Sequence, residues 1–291
     1  MPDAPRFSVT IPAYNAEDTL EETVASVRAQ TFSDWELVIC NDGSTDGTLA
    51  LAERLAAAES RIRVLSQENR GSGGAYNTAM RAARSDLLVM LSADDLLLPE
   101  HLATFDTFIS EHPEASIFSC DGYYLYDDGS RVQAKANSTW SDPSRCGLTD
   151  LLHACFFDMG TVFRRDVFEA VGGFREDIYA EDYLFFLQAF ARGYEHRYID
   201  RPLSVHRRSF TQKSSAHIRM RQADIAALRS VLNSEPLDDA QRAVAKAVVR
   251  RHRLNVAIRR VLGAVLGQDA STALIDRLRH RRAVSPTDER G

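Results

Sequence analysis

The 291-residue sequence predicts an α/β protein, built as a doubly wound, mostly parallel sheet with helices on both faces, plus a C-terminal helical extension. Three observations predict this. Up to about residue 100, short β-branched or apolar runs alternate with stretches of helical spacing about 10 to 15 residues long, the pattern of βαβ units. The fourth run, residues 87–91 (LLVML), is apolar without interruption, as a strand covered on both faces should be. Beyond Ala216 the pattern is almost entirely helical.

The elements follow in order. Residues 7–12 (FSVTIP) are a first strand, and residues 17–30 set Leu20, Val24 and Val27 on one helical face. Residues 35–40 (WELVIC) are a second strand, 45–58 an Ala- and Leu-rich helix, 61–66 (RIRVLS) a third strand and 74–83 a third helix. Pro99 opens a further helix, since proline is favoured in a first helical turn. Residues 116–126 (SIFSCDGYYLY) read as a strand ending in a DDG turn at 127–129, and 161–164 and 194–199 as shorter strands. Residues 184–192 read as a helix closed by Gly193. In the C-terminal part, Leu254, Ile258, Val261, Leu262 and Val265 share a helical face beside Arg253, Arg259 and Arg260, and the tail from Ala283 reads as frayed. There are no internal repeats and no low-complexity linker. The expected division is a ligand-binding domain over 1–215 and a helical extension with a basic tail over 216–291.

Hydrophobic content of 44% and charged content of 26% are those of a globular chain, and a net charge of −6 carries no nucleic-acid signature. Charge is uneven: residues 241–291 hold twelve Arg and Lys against four Asp and Glu. That basic end fits an anionic membrane, an acidic partner or a solvated helical face. No apolar run is long enough to span a membrane, and the opening MPDAPRFSVTIP does not read as a secretory signal. Cys40, Cys120, Cys146 and Cys155 form no CxxC pair and read as buried thiols of a reducing cytosol.

Ligands of doubly wound sheets bind beyond the carboxyl ends of the strands. Polar clusters gather there: AYNAE after the first strand, NDGSTDG after the second, NRGSGGAYN after the third and SADD after the fourth. GSGG follows the wrong strand and lacks the last glycine of a dinucleotide loop, and no GxxxxGK[ST] occurs. A phosphoacceptor receiver would need a lysine at a late strand end, and Lys135, Lys213 and Lys246 are not so placed. Adjacent Asp94 and Asp95 suit a hard divalent cation, or cap the helix that begins near Pro99. If the strand stays extended through them, Asp94 shares a face with Ser92 and Asp95 points the other way.

Together these segments resemble the family 2 glycosyltransferases of the GT-A fold. The likeness runs through P-x-Y-N, S-V-x-x-Q-T, N-D-G-S-T-D-G-T, N-R-G-S-G-G-A-Y-N, S-A-D-D as the D-x-D element, G-G-F at 172–174 and Glu181-Asp182, over about residues 7 to 215. The resemblance implies inverting transfer of a sugar from a nucleotide-diphosphate donor, UDP-linked in many members, to an acceptor hydroxyl, with Mn²⁺ or Mg²⁺. It implies nucleotide contacts from Pro12, Tyr14, Asn15, Glu17, Asp42, Gly71, Tyr76, Asn77, Ser92 and Ala93. It makes Asp94 the metal aspartate with Asp95 beside it, and His206 a late ligand or a packing residue. Arg207 or Arg208, with Ser214, would hold the diphosphate. Asp182 would be the general base and Glu181 would orient it or the acceptor; apart from the resemblance, the two acids fit a helix N-terminus.

Two positions depart from the pattern. Ser92 stands where the family usually has the first Asp of D-x-D, an acid that mainly contacts ribose there, and Tyr76 stands where A-R-N is common. Both predict altered donor binding. They also leave room for an alternative, a catalytically impaired sugar-nucleotide-binding scaffold, against which the retained Asp42, Asp94 and Asp182 speak. The acceptor, a polysaccharide, lipid-linked glycan or other hydroxyl compound, is not legible. Trp140, Phe156, Phe157 and Asp158 would line it or pack in the core. Such an enzyme is expected in the cytoplasm or at the inner face of the membrane, with its C-terminal helices against that surface or in a homodimer.

Overall fold

The computed structural model describes residues 4–134, 146–153, 155, 157, 160–208 and 214–266. The first half alternates as the pattern predicts: β1 (Phe7–Ala13), α1 (Leu20–Arg28), β2 (Trp35–Asp42), α2 (Thr48–Ala58), β3 (Ile62–Gln67), α3 (Gly71–Ala82) and β4 (Leu87–Met90). Then come β5 (Leu96–Leu97), α4 (His101–Glu111), β6 (Ile117–Tyr126), β7 (Arg131–Gln133), α5 (Leu148–His153), β8 (Val162–Arg164) and α6 (Arg165–Val171). The described chain closes with α7 (Glu181–Ala191), β9 (His196–Arg208), α8 (Ser214–Ser234) and α9 (Asp239–Leu266).

Among the described residues, nine strands form one mixed sheet in the order β3-β2-β1-β4-β8-β6-β9-β5, with β7 beside β6. Strands β1 to β4 are mutually parallel, so their carboxyl ends and the loops that follow share one edge. The apolar run of β4 is buried on both faces. Leu87, Val89 and Leu91 join the core under α1, α2 and α4, while Leu88 and Met90 join the opposite core with Tyr76, Met80 and the aromatic side of α7. Ala227, Leu228 and Val231 of α8 and Ala245, Val248 and Val249 of α9 belong to that second core, so the C-terminal helices pack on the sheet domain.

Four expectations shift. Helix α3 starts at Gly71 instead of residue 74, because its glycines serve close packing: a Cβ at Gly73 would lie 3.1 Å from the Arg175 carbonyl oxygen and 3.3 Å from Glu181 Cγ. The strand expected at 194–199 runs to Arg208, through charged residues that an apolar pattern cannot flag. It pairs in parallel with β6, and the register shifts at Cys120/Asp121 and Asp121/Gly122 skip Asp200-Arg201 and Leu203. Cys40 and Cys120 are buried as expected, but Cys155 is exposed. On α9, Leu254, Ile258 and Val261 do share a solvent face, while Arg259, expected beside them, is buried. Gly193 adopts φ +85° just past α7, as a closing glycine should.

Candidate active site

A cavity of about 600 Å³ opens at the carboxyl edge of β1, β2 and β4, between the loops that follow them and the start of α3. Of the residues expected to contact a nucleotide, Pro12, Tyr14, Asn15, Asp42, Gly71, Ser92 and Ala93 line it. Asp94 lines it too. Tyr14 is half exposed at its mouth and offers an aromatic face.

The loop after β1 is clasped to the loop after β2. Asn15, at φ 49°, accepts a hydrogen bond from Thr45 N at 2.8 Å, and its own N donates to Ser44 Oγ. Glu17 Oε2 accepts from Gly47 N at 2.6 Å, and Ala16 N donates to Thr48 Oγ1 at 2.7 Å. Asn15 and Glu17 therefore shape the wall that carries Tyr14. Asp42 is buried at the end of β2, where one carboxylate oxygen accepts from Gln67 Nε2 (2.7 Å) and Arg70 N (2.9 Å). That ties the second strand to the start of α3.

After β4 the chain does not stay extended. It turns through Ala93 and Asp94, with Asp95 N donating to Ser92 O at 3.3 Å. Thr19 and Thr23 both donate to the Ala93 carbonyl at 2.9 Å and fix the turn. The expected inequality of the two acids arises from this turn and not from strand alternation. Asp94 opens to the cavity, whereas Asp95 is fully buried. Asp95 meets His206 Nδ1 at 2.9 Å and accepts from Arg207 N at 2.9 Å. The Arg207 side chain reaches the Asp94 carbonyl at 2.8 Å and pairs with Glu22. Arg208 lies over the Tyr124 ring, 4.0 Å from its centroid. The end of β9 thus braces the turn from outside. Ser214 opens α8, and its side chain lies outside the described residues. Enclosure by the cleft walls, and next the Asp95 charge, raise the Asp94 carboxyl above its ordinary pKa.

The second acidic pair starts α7. Glu181 is buried and accepts a hydrogen bond from Ser72, a residue of the cavity wall. Burial, then the Asp182 charge, push its carboxyl up to about 7, against the pull of that hydrogen bond. Asp182 Oδ1 accepts from Tyr183 N at 2.7 Å. A latch joins this region to α3. Asn77, expected at the nucleotide, is buried, and it bonds Phe174 O (2.9 Å) and Phe174 N (2.8 Å). Gly173, at φ +85°, permits the approach, since a Cβ there would meet Asn77 Oδ1 at 2.5 Å. Arg70 pairs with Glu176 at 2.6 Å. Tyr76 is buried beside Phe174, with ring centroids 5.4 Å apart. The cavity floor and the Glu181–Asp182 pair are therefore held by one helix, α3. Thr19, Thr23, Ser72 and Glu176 carry this arrangement without any local sequence signal, because their partners lie 70 or more residues away.

Phe157 stacks on Phe186 at 3.8 Å, and Trp140, Phe156 and Asp158 lie outside the described residues. Among the described residues, no group of three His, Cys, Asp or Glu side chains is arranged to hold a metal.

The sequence profile described as "Glycosyl transferase family 2" matches residues 8–172, more than half of the chain. The chain belongs to glycosyl transferase family 2. This family 2 chain is 32% identical over 214 residues to "Uncharacterized glycosyltransferase EpsJ" of Bacillus subtilis, covering 70% of this chain and 61% of the relative. It is 33% identical over 186 residues to a chondroitin synthase of Pasteurella multocida, covering 63% of this chain and 19% of that one. The chain spans less than two thirds of the length of these relatives. Its fold is shared with the mannosyltransferase PcManGT of Pyrobaculum calidifontis in complex with GDP-Man and Mn²⁺ (TM-score 0.69, 21% identity, 98% of this chain and 82% of the other). It is shared as well with S. aureus TarS 1-349 in complex with UDP-GlcNAc (TM-score 0.64, 20% identity, 85% and 72%). The expected GT-A-type α/β fold with a C-terminal helical part is the fold this family 2 chain has.

Proposed function

We propose that the chain is an inverting, metal-dependent glycosyltransferase that moves a sugar from a UDP-linked donor to an acceptor hydroxyl in the synthesis of a polysaccharide, cell-envelope glycan or glycolipid. The observation that carries this reading is the single framework of α3, which sets a cavity lined by Asp42 and Asp94 beside the Glu181–Asp182 pair. Tyr14 stacks the base and Asp42 reads its edge, while Ser92 and Ala93 face the ribose. Asp182 takes the proton of the acceptor hydroxyl as its oxygen attacks the anomeric carbon. The bond to the diphosphate breaks on the opposite face, and its electron pair leaves with the diphosphate. Glu181, held by Ser72, keeps Asp182 and the acceptor aligned. Asp95, His206 and Arg207 fix the turn that presents Asp94.

Asp94 supplies one carboxylate to the cavity, and this donor set suits Mn²⁺ or Mg²⁺, which take their remaining ligands from phosphates and water. When bound, such a cation neutralises charge on the leaving diphosphate. Calorimetry with UDP tests the assignment. Binding in Mn²⁺ should weaken at least about tenfold in Asp94→Ala, the scale of removing a charge-assisted contact. Equal affinity would remove Asp94 from the metal site. UDP binding with no turnover of any nucleotide sugar would favour the scaffold reading.

No described helix is long and apolar enough to cross a membrane. Leu254 (62% exposed), Ile258 (43%) and Val261 (63%) form a stripe on α9 flanked by exposed Arg250, Arg253 and Arg260. We assign this face to the anionic inner surface of the membrane, which matches both its charge and its apolar seam. Flotation with anionic vesicles should be lost in Leu254→Glu/Ile258→Glu. Flotation that survives the substitution, or a stripe that instead drives dimer formation in solution, would refute the assignment.

A further inference from the structure

Tyr179 stands three residues before Asp182, so at most about 11 Å of extended chain separates their Cα atoms. Its side chain is 54% exposed, while Ala180 and Tyr183 on either side of the acid pair are buried in the second core. Arg219, an exposed residue of α8, lays its guanidinium 4.1 Å from the centroid of the Tyr179 ring. Ala223, Ala227 and Leu228 anchor α8 in that same core, so both partners of the stack project from fixed elements.

The charges around the stack are otherwise matched. Arg70 pairs with Glu176, Arg175 with Asp177 and Arg221 with Asp224. Among the described residues, no carboxylate pairs with Arg219. Stacking engages the face of a guanidinium and leaves its N–H edge open. That edge fits two oxygens of a carboxylate or a phosphate. The exposed ring adds apolar surface for the C–H face of a sugar. Position 219 also lies beyond residues 8–172, the stretch that the family profile matches.

We propose that Tyr179 and Arg219 form an acceptor subsite for a sugar that carries an oxyanion, a carboxylate or a phosphate, close to the hydroxyl that Asp182 deprotonates. The ring supports the sugar and the guanidinium edge binds the anion. Arg219 therefore selects anionic over neutral acceptors and takes no part in holding the nucleotide. The acceptor role rests on the function proposed above.

Ligand-observed NMR titration of the full chain, saturated with UDP and Mg²⁺, tests the subsite. The probes are methyl β-glucoside, methyl β-glucuronide and methyl β-glucoside 6-phosphate, which differ only at C6. The wild type should bind at least one anionic sugar about tenfold more tightly than the neutral one, the gain of one charge-assisted contact. The tighter of the two names the anion. Arg219→Gln should erase the preference, and Tyr179→Leu should weaken the anionic sugar about 2- to 5-fold, the scale of an exposed cation–π contact. Arg54→Gln, which removes the same charge from α2, should leave the preference intact. UDP affinity should be unchanged in all three variants, because none of these residues lines the nucleotide cavity. Equal affinity for the three probes, no measurable binding of either anionic sugar, a preference that survives Arg219→Gln, an anionic affinity unmoved by Tyr179→Leu, or an equal loss in Arg54→Gln would each overturn the subsite and leave the nucleotide site standing. A wild type that binds neither UDP nor GDP would overturn the nucleotide site, and the acceptor role with it.

Discussion

Asp182→Asn is expected to slow sugar transfer by about 10²- to 10⁴-fold, the range for loss of a positioned general base. The replacement has the same shape, and its side-chain oxygen can still accept from Tyr183 N in the first turn of α7. It cannot take the acceptor proton. Affinity for UDP should stay within about twofold, because Asp182 is not among the residues that line the nucleotide cavity. The loss should therefore fall on kcat and not on donor binding. A variant that transfers at the wild-type rate would remove Asp182 from the role of base.

Glu181→Gln is expected to raise the melting temperature at pH 8 by several degrees and to leave it unchanged at pH 4.5, while transfer falls. The sign follows from the shift. The folded carboxyl titrates near 7, above its ordinary value of 4.5. Between those values the folded chain binds more protons than the unfolded chain, so stability falls as pH rises through the window. The penalty levels off as pH rises past about 7, where it amounts to roughly 3 kcal/mol. Glutamine carries no charge and does not incur it, and it still accepts from Ser72. A melting difference that does not depend on pH, or a loss of stability at pH 8, would refute the account of Glu181. Such a residue is a stability cost retained for activity.

The parallel half of the sheet was legible because central strands are covered on both faces, which leaves runs such as LLVML with no alternation to misread. The clustering of polar loops at one edge followed from topology alone. The later strands were less legible. β9 runs on through His206, Arg207 and Arg208, whose place is set by a buried aspartate more than 100 residues earlier. The glycines of α3 look like a loop in sequence, and only the proximity of Arg175 and Glu181 shows why a helix needs them. Asn77 and Glu17 sit in motifs that suggest ligand contact. In the fold their hydrogen bonds go to Phe174 and Gly47, and such distant partners leave no local trace. Ser92 and Tyr76 both read as ligand contacts, and in the fold Ser92 lines the cavity while Tyr76 is buried beside Phe174.

The proposed reaction is transfer of a sugar with inversion in this cleft. The most direct measurement follows the anomeric proton by NMR while the purified chain, in Mn²⁺, turns over α-linked UDP-sugars with a panel of hydroxyl acceptors. The proposed chemistry gives one UDP released per sugar transferred and a β-linked product, both slowed at least about a hundredfold in Asp182→Asn. An α-linked product, or a panel of donors bound but never turned over, would contradict it.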